Sequence, residues 1–200
     1  MSDNISFIKD FLEDVKRIIE TISLRDIESF IDVLYNAWKE GRNVFIAGNG
    51  GSASTATHFA SDLMKFVSVE GKPRFKVYSL VTNVPLITAI TNDLGWSEVY
   101  IEQLKNMMNP GDVFVAISVH GGSGMDKAEI WSQNLLKAAK YVKNNGGKVL
   151  SLVGFDGGVL RQISDVSILV PMNSTPHVEG FHLVLTHLIC ARLKELIAQS

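Results

Sequence analysis

The sequence predicts an α/β fold: a doubly wound sheet of five parallel strands flanked by helices, with two further helices leading into it. Three observations predict it. Five short β-rich runs are apolar almost throughout, as strands covered on both faces must be. Stretches of helical periodicity separate those runs, which is the alternation that builds a parallel sheet. Glycine-rich turns follow the first and third runs, at the edge where such a sheet opens toward ligands.

In chain order, Ile5, Ile8, Phe11, Leu12, Val15, Ile18, Ile19 and Ile22 recur at spacings of three and four, so a long amphipathic helix is expected first. Ile27, Phe30, Ile31, Leu34 and Trp38 predict a second helix, with Gly41 as its stop. Both precede any strand, so residues 1–41 either offer apolar surface to another subunit or cover the sheet of their own domain. The predicted strands are residues 44–47, 77–81, 113–117, 149–153 and 166–170. Pro110-Gly111-Asp112 and Asn144-Asn145-Gly146-Gly147 are turns that enter strands, residues 125–143 read as a helix, and the last helix spans roughly residues 177–198. No linker, repeat or low-complexity tract divides the chain. Residues 1–200 are therefore expected to form one domain, with residues 42–200 as its α/β core.

The 200 residues, 46% of them hydrophobic, suffice for one full core. Nineteen basic and 21 acidic residues, a formal charge of −2, provide no electrostatic footprint for nucleic acid or an anionic membrane. Any anion must be held by a local site. No apolar run has the length of a bilayer span, and Asp3, Lys9 and Asp10 interrupt the start of the chain, so no membrane partner or export signal is expected. The expected location is the cytoplasm. Cys190 is the sole cysteine, which fits a reducing compartment; set among Leu188, Ile189 and Leu193, it reads as a buried structural thiol.

The chemistry sits in the turns. Gly48-Asn49-Gly50-Gly51-Ser52-Ala53-Ser54 follows the first strand, where glycines let backbone amides approach an anion at a helix N-terminus. It matches neither a Walker loop nor a dinucleotide fingerprint, which turns the reading away from nucleotides. Ser118-Val119-His120-Gly121-Gly122-Ser123-Gly124 follows the third strand, and two serine hydroxyls with free amides from Gly121 onward would make a nest for phosphate. A third constellation is helical. His58 and Asp62 are four apart on one helix face, and Glu179 pairs with either His182 or His187 on the last helix. Imidazoles and carboxylates are ligands for Zn²⁺ and are also acids and bases near neutral pH.

Taken in order, Gly48-Asn49-Gly50-Gly51-Ser52, His58-Phe59-Ala60, Asn92-Asp93, Gly154-Phe155-Asp156-Gly157-Gly158 and the helix carrying Glu179 and His187 resemble the sugar isomerase (SIS) domain family. Within it the sequence is most similar to the phosphoheptose isomerases, and the likeness runs over nearly the whole chain. The resemblance implies a ketose–aldose isomerase that converts sedoheptulose 7-phosphate to a heptose 7-phosphate through an enediol. An isomerase of another phosphosugar and a partner-binding SIS protein are the alternatives. It implies substrate contacts from Asn49, Gly50, Gly51, Asn92 and Asp93, with the phosphate held by Ser118 and Ser123; the turns and the last helix add Ser52, Gly121, Gly122 and Glu179 to the expected substrate site, and His120 either donates to the phosphate or shapes the loop. It further implies a zinc site of His58, Asp62, Glu179 and His187, with acid–base work shared by Asp62 and His187, and a homotetramer assembled through the leading helices. Asp62 and Glu179 stand where the family typically has glutamate and glutamine, and Val119 and His120 stand where it commonly has hydroxyl residues.

Overall fold

Along each central strand, consecutive side chains point to opposite faces, and both faces are dry. Val44 and Ile46 enter one core while Phe45 and Ala47 enter the other, and Val115 and Ile117 alternate with Phe114 and Ala116 in the same way. Strands so enclosed must be covered by helices on both sides. The computed structural model, which describes residues 3–123 and 131–200, shows that arrangement. The elements are α1 Asn4–Thr21, α2 Leu24–Lys39, β1 Asn43–Gly48, α3 Gly51–Met64, β2 Lys76–Ser79, α4 Val84–Leu94, α5 Val99–Met107, β3 Val113–Ser118, α6 Gln133–Asn144, β4 Lys148–Gly154, α7 Gly158–Ile163, β5 Val166–Val170 and α8 Thr175–Gln199. A short 3-10 turn, Trp96–Glu98, leads into α5.

All five strands are parallel, as predicted, and their order is β2-β1-β3-β4-β5. From β1 the chain moves outward to β2 and then returns across β1 to β3, so the loops leaving β1 and β3 diverge. The crevice between them is the topological switch point of the sheet. One core, holding Phe30, Phe59, Leu63, Leu185 and Ile189, lies under α2, α3 and α8. The other, holding Tyr100, Leu104, Leu135 and Leu160, lies under α4 to α7.

The two leading helices differ in how far they are buried against the rest of the chain. Helix α2 begins at the N-cap Ser23, stops before Gly41 at φ 63°, and packs on β5, β1 and α8. Helix α1 buries only Ile18. Its Ile5, Phe7, Ile8, Leu12 and Ile19 stay exposed. Phe11 anchors it by stacking on His177 with ring centroids 3.8 Å apart, and the His177 Nε2 lies 3.2 Å from the Phe11 carbonyl oxygen.

One expected element is corrected. The described part of the helix expected at residues 125–143 is α6, which starts only at Gln133 because Ser132, at φ 55°, has a left-handed backbone that an α-helix cannot include. Residues 124–130 lie outside the described residues.

Candidate functional site

The loop from β1 into α3 carries Asn49 through Ser52, and helices α3 and α8 pack side by side. That contact assembles the helical constellation. His58 Nε2 lies 3.4 Å and His187 Nδ1 lies 3.2 Å from the same oxygen, Oδ2 of Asp62. The two rings stand edge to face with centroids 4.8 Å apart. Ligand atoms from all three residues fall within 4.8 Å of one another. Tetrahedral zinc with bonds of about 2.0–2.2 Å separates its ligand atoms by roughly 3.3–3.6 Å, which the two contacts of Asp62 approach, so two imidazoles and a carboxylate form a candidate three-residue metal site. Of the two alternatives on α8, the structure selects His187. His182 is buried against the sheet, and neither of its ring nitrogens has a hydrogen-bond partner among the described residues. Burial pushes its imidazole down to about 4.

Within the single chain Glu179 stands apart from that cluster, so only three of the four expected metal ligands come together there. Eight residues along α8 separate it from His187, about 12 Å of helix rise. Its carboxylate lies instead against Gly51: a Cβ on that glycine would stand 2.5 Å from Glu179 Oε1 and 2.7 Å from Oε2. This also changes the reading of the first glycine turn. Its Gly51 face holds a carboxylate, and a second anion would be repelled there. Glu179 thereby lines a small cavity of about 180 Å³ together with Asn49, Ser52, Ser118, His120 and Trp131.

The loop after β3 is bonded within itself. The Gly121 amide, expected to be free, donates to Ser118 Oγ at 3.1 Å, and Ser123 Oγ accepts from the Trp131 amide at 2.8 Å. Gly121 and Gly122 adopt φ of 69° and 75°, and a Cβ on Gly121 would sit 1.8 Å from the Gly157 carbonyl oxygen. Only glycine permits that approach. Through it the Gly121 and Gly122 carbonyls accept from Leu160 and Val159 in the first turn of α7. The loop is thus clamped to the Gly154–Gly158 turn, and its two serines are buried, with Ser118 beside the small cavity. His120 stands between two rings, its centroid 4.2 Å from Phe155 and 5.2 Å from Trp131. It walls both the small cavity and a larger one of about 450 Å³ that also meets Ser123, Asp156 and Asn173.

Asn92 and Asp93 stand apart within the single chain. They are exposed on α4, bonded to each other at 2.7 Å, and line neither cavity. Helix α4 covers the face of the sheet opposite α3 and α8, which is the physical reason. Gly50, at φ 57°, is exposed at the turn where β1 gives way to α3. Cys190 is buried as expected; burial, with the Asp62 charge adding to it, pushes its thiol far above the ordinary range.

Three participants were missed in the sequence. Asn134 is wholly buried and exchanges two hydrogen bonds with Asn49, and Tyr100 places its hydroxyl 3.2 Å from Asn49 Oδ1. Trp131 closes the small cavity. Asn134 carried a signal: it is a lone polar residue on the apolar face that Leu135, Ala138, Ala139 and Val142 share. Tyr100 and Trp131 carried none.

The SIS domain family model matches residues 6–154 of the chain. The lincomycin biosynthesis protein LmbN of Streptomyces lincolnensis is 36% identical over 190 residues, which cover 93% of this chain and 68% of that protein. The phosphoheptose isomerase of Helicobacter pylori strain P12 is 36% identical over 188 residues, 91% of each. The solved structure of phosphoheptose isomerase GmhA from Neisseria gonorrhoeae aligns with a TM-score of 0.83 at 24% identity, covering 96% of both chains, a likeness of fold.

Proposed function

The chain belongs to the SIS domain family, and from that premise we propose that it is an aldose–ketose isomerase that converts sedoheptulose 7-phosphate to an aldoheptose 7-phosphate. The observation that carries this reading is the pairing, along α3 and α8, of a polar cavity at the sheet's switch point with the cluster of His58, Asp62 and His187. The two are offset along the same helices, an arrangement suited to an extended sugar phosphate with its phosphate at one end and its carbonyl at the other.

The phosphate lies along Ser118, His120, Gly122 and Ser123, which line the two cavities, since Glu179 keeps anions from the Gly51 face. Glu179, as a carboxylate, accepts from sugar hydroxyls, with Ser52 beside it. The reaction removes a proton from C1 of the ketose and returns it to C2, while the hydroxyl proton passes from O1 to O2 by way of the enediol. Asp62 is the carboxylate placed to carry the carbon proton, and His187, 3.2 Å from it, is the imidazole placed to carry the oxygen proton. His58 holds the other side of Asp62 Oδ2 and fixes its rotamer. His58, Asp62 and His187 would also hold a divalent ion, zinc foremost, which when bound supplies Lewis-acid polarisation of the substrate oxygens.

The working form is a cytoplasmic homotetramer joined through the exposed apolar face of α1. Among the described residues no helix is long and apolar enough to cross a membrane. Incubating the purified chain with sedoheptulose 7-phosphate and a panel of pentulose, hexulose and octulose phosphates, with aldose formation as the readout, tests the function. Turnover of the heptulose above the others supports it, and no turnover of any member overturns it.

A further inference from the structure

Asn49 reaches the small cavity with a side-chain amide whose orientation is fixed from behind. The Leu135 backbone N–H donates to Asn134 Oδ1 at 2.9 Å, and an amide nitrogen at that position would face it donor to donor. The orientation then propagates. Asn134 Nδ2 donates to Asn49 Oδ1 at 2.9 Å, and Asn49 Nδ2 donates back to Asn134 Oδ1 at 3.1 Å. The Tyr100 hydroxyl stands 3.2 Å from the same Asn49 oxygen and 2.6 Å from the Gly48 carbonyl oxygen, sharing its proton between them. Burial holds the Tyr100 phenol far above its ordinary range, so it keeps that proton.

An amide oxygen has two lone pairs, and Asn49 Oδ1 already faces two donors. One N–H of Asn49 is also engaged. Among the described residues a single N–H remains without a partner, on a residue that lines the cavity together with Ser118 and His120.

We infer that Asn134 and Tyr100 are positioning residues that make Asn49 a donor-only group, and that its remaining N–H binds a phosphoryl oxygen of the sugar phosphate. Phosphoryl oxygens are strong acceptors, whereas an amide turned the other way would set oxygen against oxygen. The cavity is then polarised, with a donor-only wall at Asn49 and an acceptor-only wall at the Glu179 carboxylate. This assignment rests on the reading of the site as a sugar-phosphate site, though not on turnover.

The test is a pair of double-mutant cycles with dissociation constants for inorganic phosphate and sedoheptulose 7-phosphate as the readout, measured by calorimetry on the full chain. Asn134→Leu is expected to weaken both ligands about tenfold, and Tyr100→Phe, which keeps the ring in its core, between about two- and tenfold. In an Asn49→Ala background both substitutions should lose their effect, because they act only through Asn49. In turnover assays they should raise KM and leave kcat within about twofold. An unchanged affinity for inorganic phosphate in Tyr100→Phe overturns the phosphoryl assignment. An undiminished effect of Tyr100→Phe in the Asn49→Ala background overturns the positioning role, and Tyr100→Phe decides if Asn134→Leu does not fold. Failure of the isomerase reading is separate: it would appear as an absence of turnover in the unaltered chain with phosphate binding intact.

Discussion

The Glu179 carboxylate occupies the space that a Cβ on Gly51 would need, 2.5 Å from its Oε1. The atoms it would meet are the end of a flexible side chain, so Gly51→Ala should displace Glu179 without breaking the fold. Alanine is the better helix former by roughly 0.5–1 kcal/mol, and the thermal midpoint should hold or rise. Affinity for sugar phosphate should nevertheless fall. A melting curve and a KM on one preparation separate the two effects; a normal KM would show that Glu179 does not touch the ligand.

The metal set is the second prediction. Equilibrium dialysis should find about one zinc per chain, His187→Ala and His58→Ala should lose it, and His182→Ala and Glu179→Ala should keep it. Loss of the ion in Glu179→Ala would mean that its side chain swings about 12 Å of helix length toward the cluster, or that a neighbouring copy supplies it.

Stability should depend on pH through His182. Its imidazole titrates near 6.5 when unfolded and at about 4 when folded, so between those values the unfolded chain binds more protons. The contribution is present in full above pH 6.5 and drains away as pH falls toward 4, by about 3 kcal/mol in total. Urea unfolding at pH 7.5 and pH 5 should show a steeper loss in the parent than in His182→Met. Equal slopes in the two proteins would rule this source out.

Assembly should depend on the exposed side of α1. Ile8→Glu with Leu12→Glu alters two exposed positions and leaves the buried Ile18 and the Phe11–His177 stack untouched. The variant should fold with the circular dichroism of the parent yet sediment as a smaller species. If it remains the size of the parent, α1 is not the assembly surface.

Much of this was legible beforehand. Runs such as Val113–Ser118, apolar at every position but the last, read as strands buried on both faces, and the helical stretches between the runs point to a parallel sheet. The glycine turns after β1 and β3 were legible for the same reason, because they interrupt that pattern where a sheet of this kind binds ligands. His58 and Asp62 could be paired from their four-residue spacing, which is local geometry.

What the sequence alone determined, then, is what depends on neighbours within a few residues: strand and helix, cap and turn, and which side chains share one face. Residue spacing left open which of two histidines on α8 meets Asp62; the family resemblance pointed to His187, and the tertiary structure brings it there through the way α8 rotates against α3 as their side chains interlock. It likewise sent Glu179 to Gly51 rather than to the cluster, and brought Asn134, 85 residues away, to Asn49. A buried amide must find partners wherever the packed chain offers them, and its spacing in sequence carries no record of which partner that will be.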